Sequence, residues 1–185
     1  VRGAGVIPCP VIVIEPLPVD LTRLRLLDDY DWVVFTSANG VERFLTLLAE
    51  AGMAVPASVR IAAIDPETAA RLEQRGLTVA IVPEQYLAEG LAEAMPATLM
   101  SGARVLLPRA AGARDVLPDR LRAQGATVTV IETYRPVPPP GPAPRLAALP
   151  PGVDMVALTT SSPAPQHAAA GAGGPLPAGV PVACS

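Results

Sequence analysis

Small hydroxyl, amide and cationic side chains stand where apolar runs of this chain end. Thr36-Ser37-Ala38-Asn39-Gly40 follows Asp31-Trp32-Val33-Val34-Phe35, and Thr68 follows an apolar run through Asp65-Pro66. Arg109 closes Val105-Leu106-Leu107-Pro108, Tyr134 closes a run from 127 to 133, and Ser161-Ser162 comes after Met155-Val156-Ala157-Leu158-Thr159-Thr160. In a parallel sheet, ligands bind beyond the carboxyl ends of strands, where helix N-termini gather. Free first-turn amides beside Thr36, Ser37, Asn39, Gly40, Thr68, Ser161 and Ser162 would form an uncharged cradle for carboxylate or phosphate. Each charge–dipole contact contributes about 0.3–1 kcal/mol, so several must converge on one polyanion. The competing reading is that Ser37 and Asp65 only cap their own helices. Arg109 has the fork geometry to hold a carboxylate, or is a solvated strand end. The Tyr134 hydroxyl could give up a proton or orient a leaving group, or the ring could simply pack.

Other chemistry is poorly supported. The single histidine, His167, lies in an Ala/Pro/Gly segment, against a histidine metal site or a Ser-His-Asp triad. No metal site is expected. Neither a G-x-G-x-x-G nor a G-x-x-x-x-G-K-[ST] fingerprint occurs, so a nucleotide or flavin site is the weaker alternative. A net charge of −3 argues against a general nucleic-acid surface. No apolar run is long enough for a membrane span, and Val1-Arg2-Gly3-Ala4-Gly5 lacks the layout of a signal peptide. Cys9 and Cys184 read as two separate thiols, so a cytoplasmic protein is expected.

The elements that must position these groups alternate. Half of the 185 residues are apolar and 3% aromatic, which means a core of Val, Ile, Leu and Ala. Runs at 11–14, 32–36, 59–64, 78–82, 105–107, 127–133 and 155–159 read as strands, several without period-two alternation, as suits burial on both faces. Helical periodicity occupies 41–51, 66–75, 87–95 and 113–124, with Gly52, Gly76 and Gly125 as stops. Asp65-Pro66 supplies an N-cap and a first-turn proline. Trp32 is a core residue, and Asp28, Asp29 and Asp31 form a solvated turn. Strand–helix alternation indicates a parallel α/β sheet.

Residues 136–151 carry eight prolines in sixteen positions and read as a stiff crossing segment; 163–179, rich in Ala, Gly and Pro, offers little to bury. The chain also resembles itself. Asp31–Ser37 aligns with 154–160 at an offset of 123, and 55–62 aligns with 176–183 at an offset of 121. Such spacing indicates two related α/β units. The second stops at Cys184-Ser185, where the first continues into Asp65-Pro66-Glu67-Thr68-Ala69, and is therefore expected to be incomplete in this chain.

Tyr30-Asp31-Trp32-Val33-Val34-Phe35-Thr36-Ser37-Ala38-Asn39-Gly40-Val41 resembles the signature stretch of the uroporphyrinogen-III synthase family. Ala63-Ile64-Asp65-Pro66-Glu67-Thr68-Ala69 is similar to its Ile-Gly-Pro-x-Thr-Ala element, with Asp65 in place of the glycine. Ala88-Glu89-Gly90-Leu91, Val105-Leu106-Leu107-Pro108-Arg109 and Glu132-Thr133-Tyr134-Arg135 follow in the family's order. The resemblance implies two flavodoxin-like parallel-sheet domains, one inserted in the other. The inserted domain would be 16–135; 1–15 plus 136–185, with the proline-rich crossing, would form a partial second domain. It implies a lyase that closes hydroxymethylbilane into uroporphyrinogen III, inverting ring D and losing water, without cofactor and as a monomer. Tyr134 would be catalytic; Thr36, Ser37, Asn39, Gly40, Thr68, Arg109, Ser161 and Ser162 would bind substrate. The alternative is a truncated, non-catalytic tetrapyrrole-binding module.

Overall fold

The computed structural model describes residues 12–138 and the strands Val156–Leu158 and Val182–Cys184; Cys9, Ser161, Ser162 and His167 lie outside the described residues. The chain divides into two compact units, Pro16–Arg135 and Val1–Glu15 with Pro136–Ser185. In chain order the elements are β1 (Val13–Pro16), α1 (Leu21–Leu24), a 3-10 turn (Leu27–Asp29), β2 (Trp32–Phe35), α2 (Ala38–Glu50), β3 (Arg60–Ala63) and α3 (Pro66–Glu73). Then come α4 (Ala88–Ala94), α5 (Ala97–Met100), β4 (Arg104–Ala110), α6 (Val116–Ala123), β5 (Thr127–Val137), β6 (Val156–Leu158) and β7 (Val182–Cys184).

The main sheet has the order β1-β5-β4-β2-β3, and β2 runs parallel to β3 and β4, as β4 does to β5. Every residue of β2 is buried, and its side chains serve the two faces alternately. Val33 and Phe35 join Ile61, Ala63 and Leu106 under α2 and α3, which contribute Phe44, Leu47, Leu48 and Leu72. Trp32 and Val34 join Ala62, Val105 and Leu107 under α4 and α6, which contribute Leu91, Leu117 and Leu121, with Met95 just past α4. Period two in the strands against 3.6 in the helices produces this double-faced core. Phe35 meets Phe44 edge-on, with ring centroids 5.5 Å apart, an arrangement worth about 0.5–1.5 kcal/mol beyond burial.

Helix ends follow their chemistry. Ser37 and Asp65 are the N-caps of α2 and α3, and Gly52 and Gly76 take φ of +66° and +78° just past their C-termini, where a Cβ would be strained. Glu42 of α2 ties the two helices by ion pairs to Arg71 of α3 and to Arg75 just beyond it. Three expectations change. The run 78–82 shrinks to a single bridge, Ile81 to Ala62, because Pro83 has no N–H to carry the edge ladder on. Strand β5 reaches Val137 through Pro136, which lies beyond the last β4 partner, Tyr134, and so interrupts no bond to that strand. Helices α1 and α5 have four residues each, too few to show a periodicity.

The internal repeat has a structural counterpart. The offsets equate Val33 with Val156 and Ile61 with Val182; Val33 pairs with Ile61 in parallel, and Val156 pairs with Val182 in parallel.

Candidate functional site

From β2 the chain crosses to β3 on one side, and β4 then lies against the other side of β2. The order of strands therefore reverses between β2 and β4. Helix α2 leaves β2 toward one sheet face and α6 leaves β4 toward the other, as their separate core clusters show. Such a switch point opens a crevice at the carboxyl ends of the strands. The β2–β4 pairing is confined to Trp32 with Val105 and Val33 with Leu106, and ends short of Pro108. A proline in a strand has no N–H to continue a ladder.

Ser37, Gly40 and Tyr134 meet at this crevice. The Ser37 Oγ accepts the Gly40 amide at 3.0 Å and lies 2.8 Å from the Tyr134 hydroxyl, with either oxygen able to donate. The Val41 amide donates to the Ser37 carbonyl, so the amides of Ala38 and Asn39 precede the first intrahelical bond and point out of the helix end. Thr36 and Ser37 are half-buried, Asn39 is exposed and Gly40 is buried. A Cβ at Gly40 would lie 3.1 Å from Ser37 Oγ, 3.5 Å from the Pro108 carbonyl and 3.9 Å from Tyr134 Cε1. Glycine is what lets the hydroxyl pair fit against the helix.

Tyr134 gets its aim from an irregularity. Arg109 pairs with Glu132 but Ala110 pairs with Tyr134, leaving Thr133 as an extra residue in β5. The bulge re-aims the tyrosine relative to a regular strand. The ring is 6% exposed, and burial pushes the phenol above the ordinary 10.0, with the Ser37 hydrogen bond offsetting part of the rise. The phenol is therefore neutral at physiological pH.

The other sequence candidates are placed differently. Thr68 is 1% exposed and its amide donates to Asp65 Oδ1 at 2.7 Å. Pro66 has no amide and Glu67 adds a carboxylate, so the α3 end is poorer in donors and more negative than the α2 end. Arg109 is 7% exposed and already holds a carboxylate: Nη2 donates to Asp115 Oδ1 at 2.6 Å, Nη1 donates to the Arg114 carbonyl at 3.1 Å, and Nε has no partner. It secures the loop after β4, which Glu132 also holds through the Gly112 amide at 3.3 Å. Sequence reasoning missed Asp115 and the Thr133 bulge. An exposed Arg114-Asp115 after a glycine was a weak signal for the first, and nothing local signals the second. Among the described residues no cluster of His, Cys, Asp and Glu could hold a metal, and no helix is long and apolar enough to cross a membrane.

Comparisons with known proteins converge. The chain is 34% identical over 140 residues to the uroporphyrinogen-III synthase of Synechococcus elongatus, covering 71% of this chain and 52% of that one. It is 37% identical over 139 residues to a candidate uroporphyrinogen-III synthase of Methanothermobacter thermautotrophicus, covering 73% and 55%. The chain spans about half the length of these relatives. Its fold is similar to a mutant uroporphyrinogen III synthase from the extremely thermophilic bacterium Thermus thermophilus, with a TM-score of 0.66, 23% identity, and coverage of 88% of this chain and 66% of that one. The family model described as uroporphyrinogen-III synthase HemD matches residues 1–184, and the chain belongs to that family.

Proposed function

We propose that this chain carries the catalytic crevice of a uroporphyrinogen-III synthase, a lyase that closes hydroxymethylbilane into uroporphyrinogen III with inversion of ring D and loss of water. The observation that carries the reading is the Ser37–Tyr134 hydrogen bond, set beside two open helix amides at the switch point of a chain of this family. The reading includes two flavodoxin-like domains, 16–135 and 1–15 plus 136–185. The order β3-β2-β4-β5-β1 supports the first, and the repeated parallel register at Val156–Val182 supports the second. A monomeric cytoplasmic protein acting on a small molecule, without nucleic acid or cofactor, completes the proposal.

The substrate is flexible and rich in acetate and propionate groups. Its carboxylates take the Ala38 and Asn39 amides and the side chains of Thr36 and Asn39 at the positive end of α2. Ser161 and Ser162 belong to the proposed binding set from the sequence motif. Arg109 adds positive charge and holds the β4 loop in place. Tyr134 donates its proton to the departing hydroxyl, which leaves as water, and an electrophilic azafulvene remains. The tyrosinate is then stabilised by Ser37, whose hydroxyl turns to donate to it while Gly40 continues to donate to Ser37. Ring D attacks through its substituted carbon, and the spiro intermediate rearranges. Loss of a ring proton back to Tyr134 closes the cycle, and a raised phenol pKa makes the tyrosinate a strong base for that step. Holding one folded pose against the uninverted closure is catalysis by proximity.

The test uses the full-length protein and freshly prepared hydroxymethylbilane. Products are oxidised to porphyrins and the isomers separated by chromatography. Uroporphyrinogen III formed faster than the uncatalysed closure is expected. Only the uninverted isomer, at the background rate, would refute the proposal.

A further inference from the structure

The guanidinium of Arg109 is only partly used. Its side chain is 9% exposed and stands at the carboxyl end of β4, between the strand that leads to Ser37 and the strand that carries Tyr134. Nη2 donates to Asp115 Oδ1 at 2.6 Å and Nη1 to the Arg114 carbonyl at 3.1 Å, while the buried Nε has no partner. The N–H groups of Nε and Nη2 lie side by side and point the same way, so one carboxylate can accept from both. Asp115 takes one of the two. A buried N–H without an acceptor is costly, so the fork still lacks a carboxylate oxygen.

Asp115 is the member of the pair that can leave. Its side chain is 64% exposed, so release returns the carboxylate to water. It stands at the N-cap position of α6 but makes no capping hydrogen bond. The first bond of that helix end runs from the Asp119 amide to the Asp115 carbonyl, so the Val116 and Leu117 amides precede it. Their dipoles add to the charge of Arg109 and favour an anion. The loop does not depend on Asp115 alone. The Ala111 amide donates to the Tyr134 carbonyl at 2.8 Å, the Gly112 amide donates to Glu132 Oε1 at 3.3 Å, and Nη1 of Arg109 retains Arg114. Since α2 packs on one sheet face and α6 on the other, their open N-termini approach the carboxyl edge from opposite sides. A folded polyacid presents carboxylates in more than one direction, and this arrangement can meet two of them.

We propose that Asp115 is a resident stand-in for substrate: a carboxylate of the tetrapyrrole displaces it from Arg109 and takes Nε and Nη2 together. Two hydrogen bonds then replace one, and the strength of the Asp115 contact sets the affinity of the fork. The proposal rests on the synthase reading and deepens it.

In the full-length protein, Asp115→Ala is expected to lower KM for hydroxymethylbilane, and Kd for the stable fluorescent polycarboxylate uroporphyrin III, by about three- to tenfold. Asp119 is a similarly exposed carboxylate one turn into α6 and also pairs with an arginine, Arg122. Asp119→Ala should change both constants by less than about twofold. Arg109→Lys keeps the charge and loses the fork, so it should raise Kd at least about fivefold, and adding Asp115→Ala to it should then gain less than about twofold. Equal gains from Asp115→Ala and Asp119→Ala would reduce the effect to general charge and overturn the proposal. Unchanged or weaker binding by Asp115→Ala would also overturn it, as would a gain that survives Arg109→Lys. The comparison of Asp115 with Asp119 leaves Arg109 in place, so it decides the matter even if Arg109→Lys fails to fold. A parent that binds uroporphyrin III but forms no uroporphyrinogen III overturns the synthase reading, while the probe titration still tests the exchange. A parent that does neither overturns both.

Discussion

Replacing Tyr134 by phenylalanine removes one oxygen and keeps the ring. The 6%-exposed ring stays in place, and Ser37 Oγ loses its 2.8 Å partner but retains the Gly40 amide at 3.0 Å. A net hydrogen bond of this type is worth about 0.5–1.5 kcal/mol, and the buried phenol oxygen it removes costs something to desolvate, so the two partly offset. Stability should fall by no more than about 1 kcal/mol, a Tm change of a few degrees in a unit of this size. Turnover should respond far more. A positioned general acid contributes about 10²–10⁴ in rate, equivalent to about 3–5 kcal/mol of barrier. Since the open α2 amides remain, KM should move little. The assay is single-turnover cyclisation of fresh hydroxymethylbilane with isomer analysis, run beside thermal unfolding of both proteins. A variant that folds normally and turns over within about threefold of the parent would remove Tyr134 from the mechanism.

Gly40→Ala should lower turnover at least about tenfold through the crowding of Ser37 Oγ, while the unfolding midpoint holds, since alanine's better helix propensity of about 1 kcal/mol works against any strain. Unchanged turnover with an unchanged midpoint would show that the Ser37–Tyr134 spacing does not matter. Asp65→Gly frees the Thr68 amide and deletes a negative charge; substrate KM should fall about two- to fivefold, as expected of one charge–dipole contact, and a rise in KM would count against the cradle argument. Alkaline pH tests the buried phenol: the folded state holds the Tyr134 proton more tightly than the unfolded state, so this contribution is complete below about pH 10 and is lost as pH rises toward the elevated folded pKa. Denaturant unfolding at about pH 9 and about pH 11 should show a larger loss for the parent than for Tyr134→Phe, and equal losses would contradict burial as the cause.

The local rules wrote much of this chain's architecture into its sequence. Uninterrupted apolar strands, Ser37 and Asp65 before their helices and glycines after them are short-range features, and each is satisfied by a few neighbouring residues. Family membership was legible for the same reason, through contiguous motifs in a fixed order. The site was legible only as a set of names. Ser37 and Tyr134 are 97 residues apart, and nothing in either segment announces a 2.8 Å contact. The sheet order brings their strands near one another, the ladder between β2 and β4 ends short of Pro108, and the Thr133 bulge aims the tyrosine. Likewise, neither the burial of Thr68 nor the Arg109–Asp115 contact could be read from the motifs that hold those residues. Periodicity and capping are short-range and can be read along the chain; partnership between distant groups depends on strand order and register, which only the folded sheet sets.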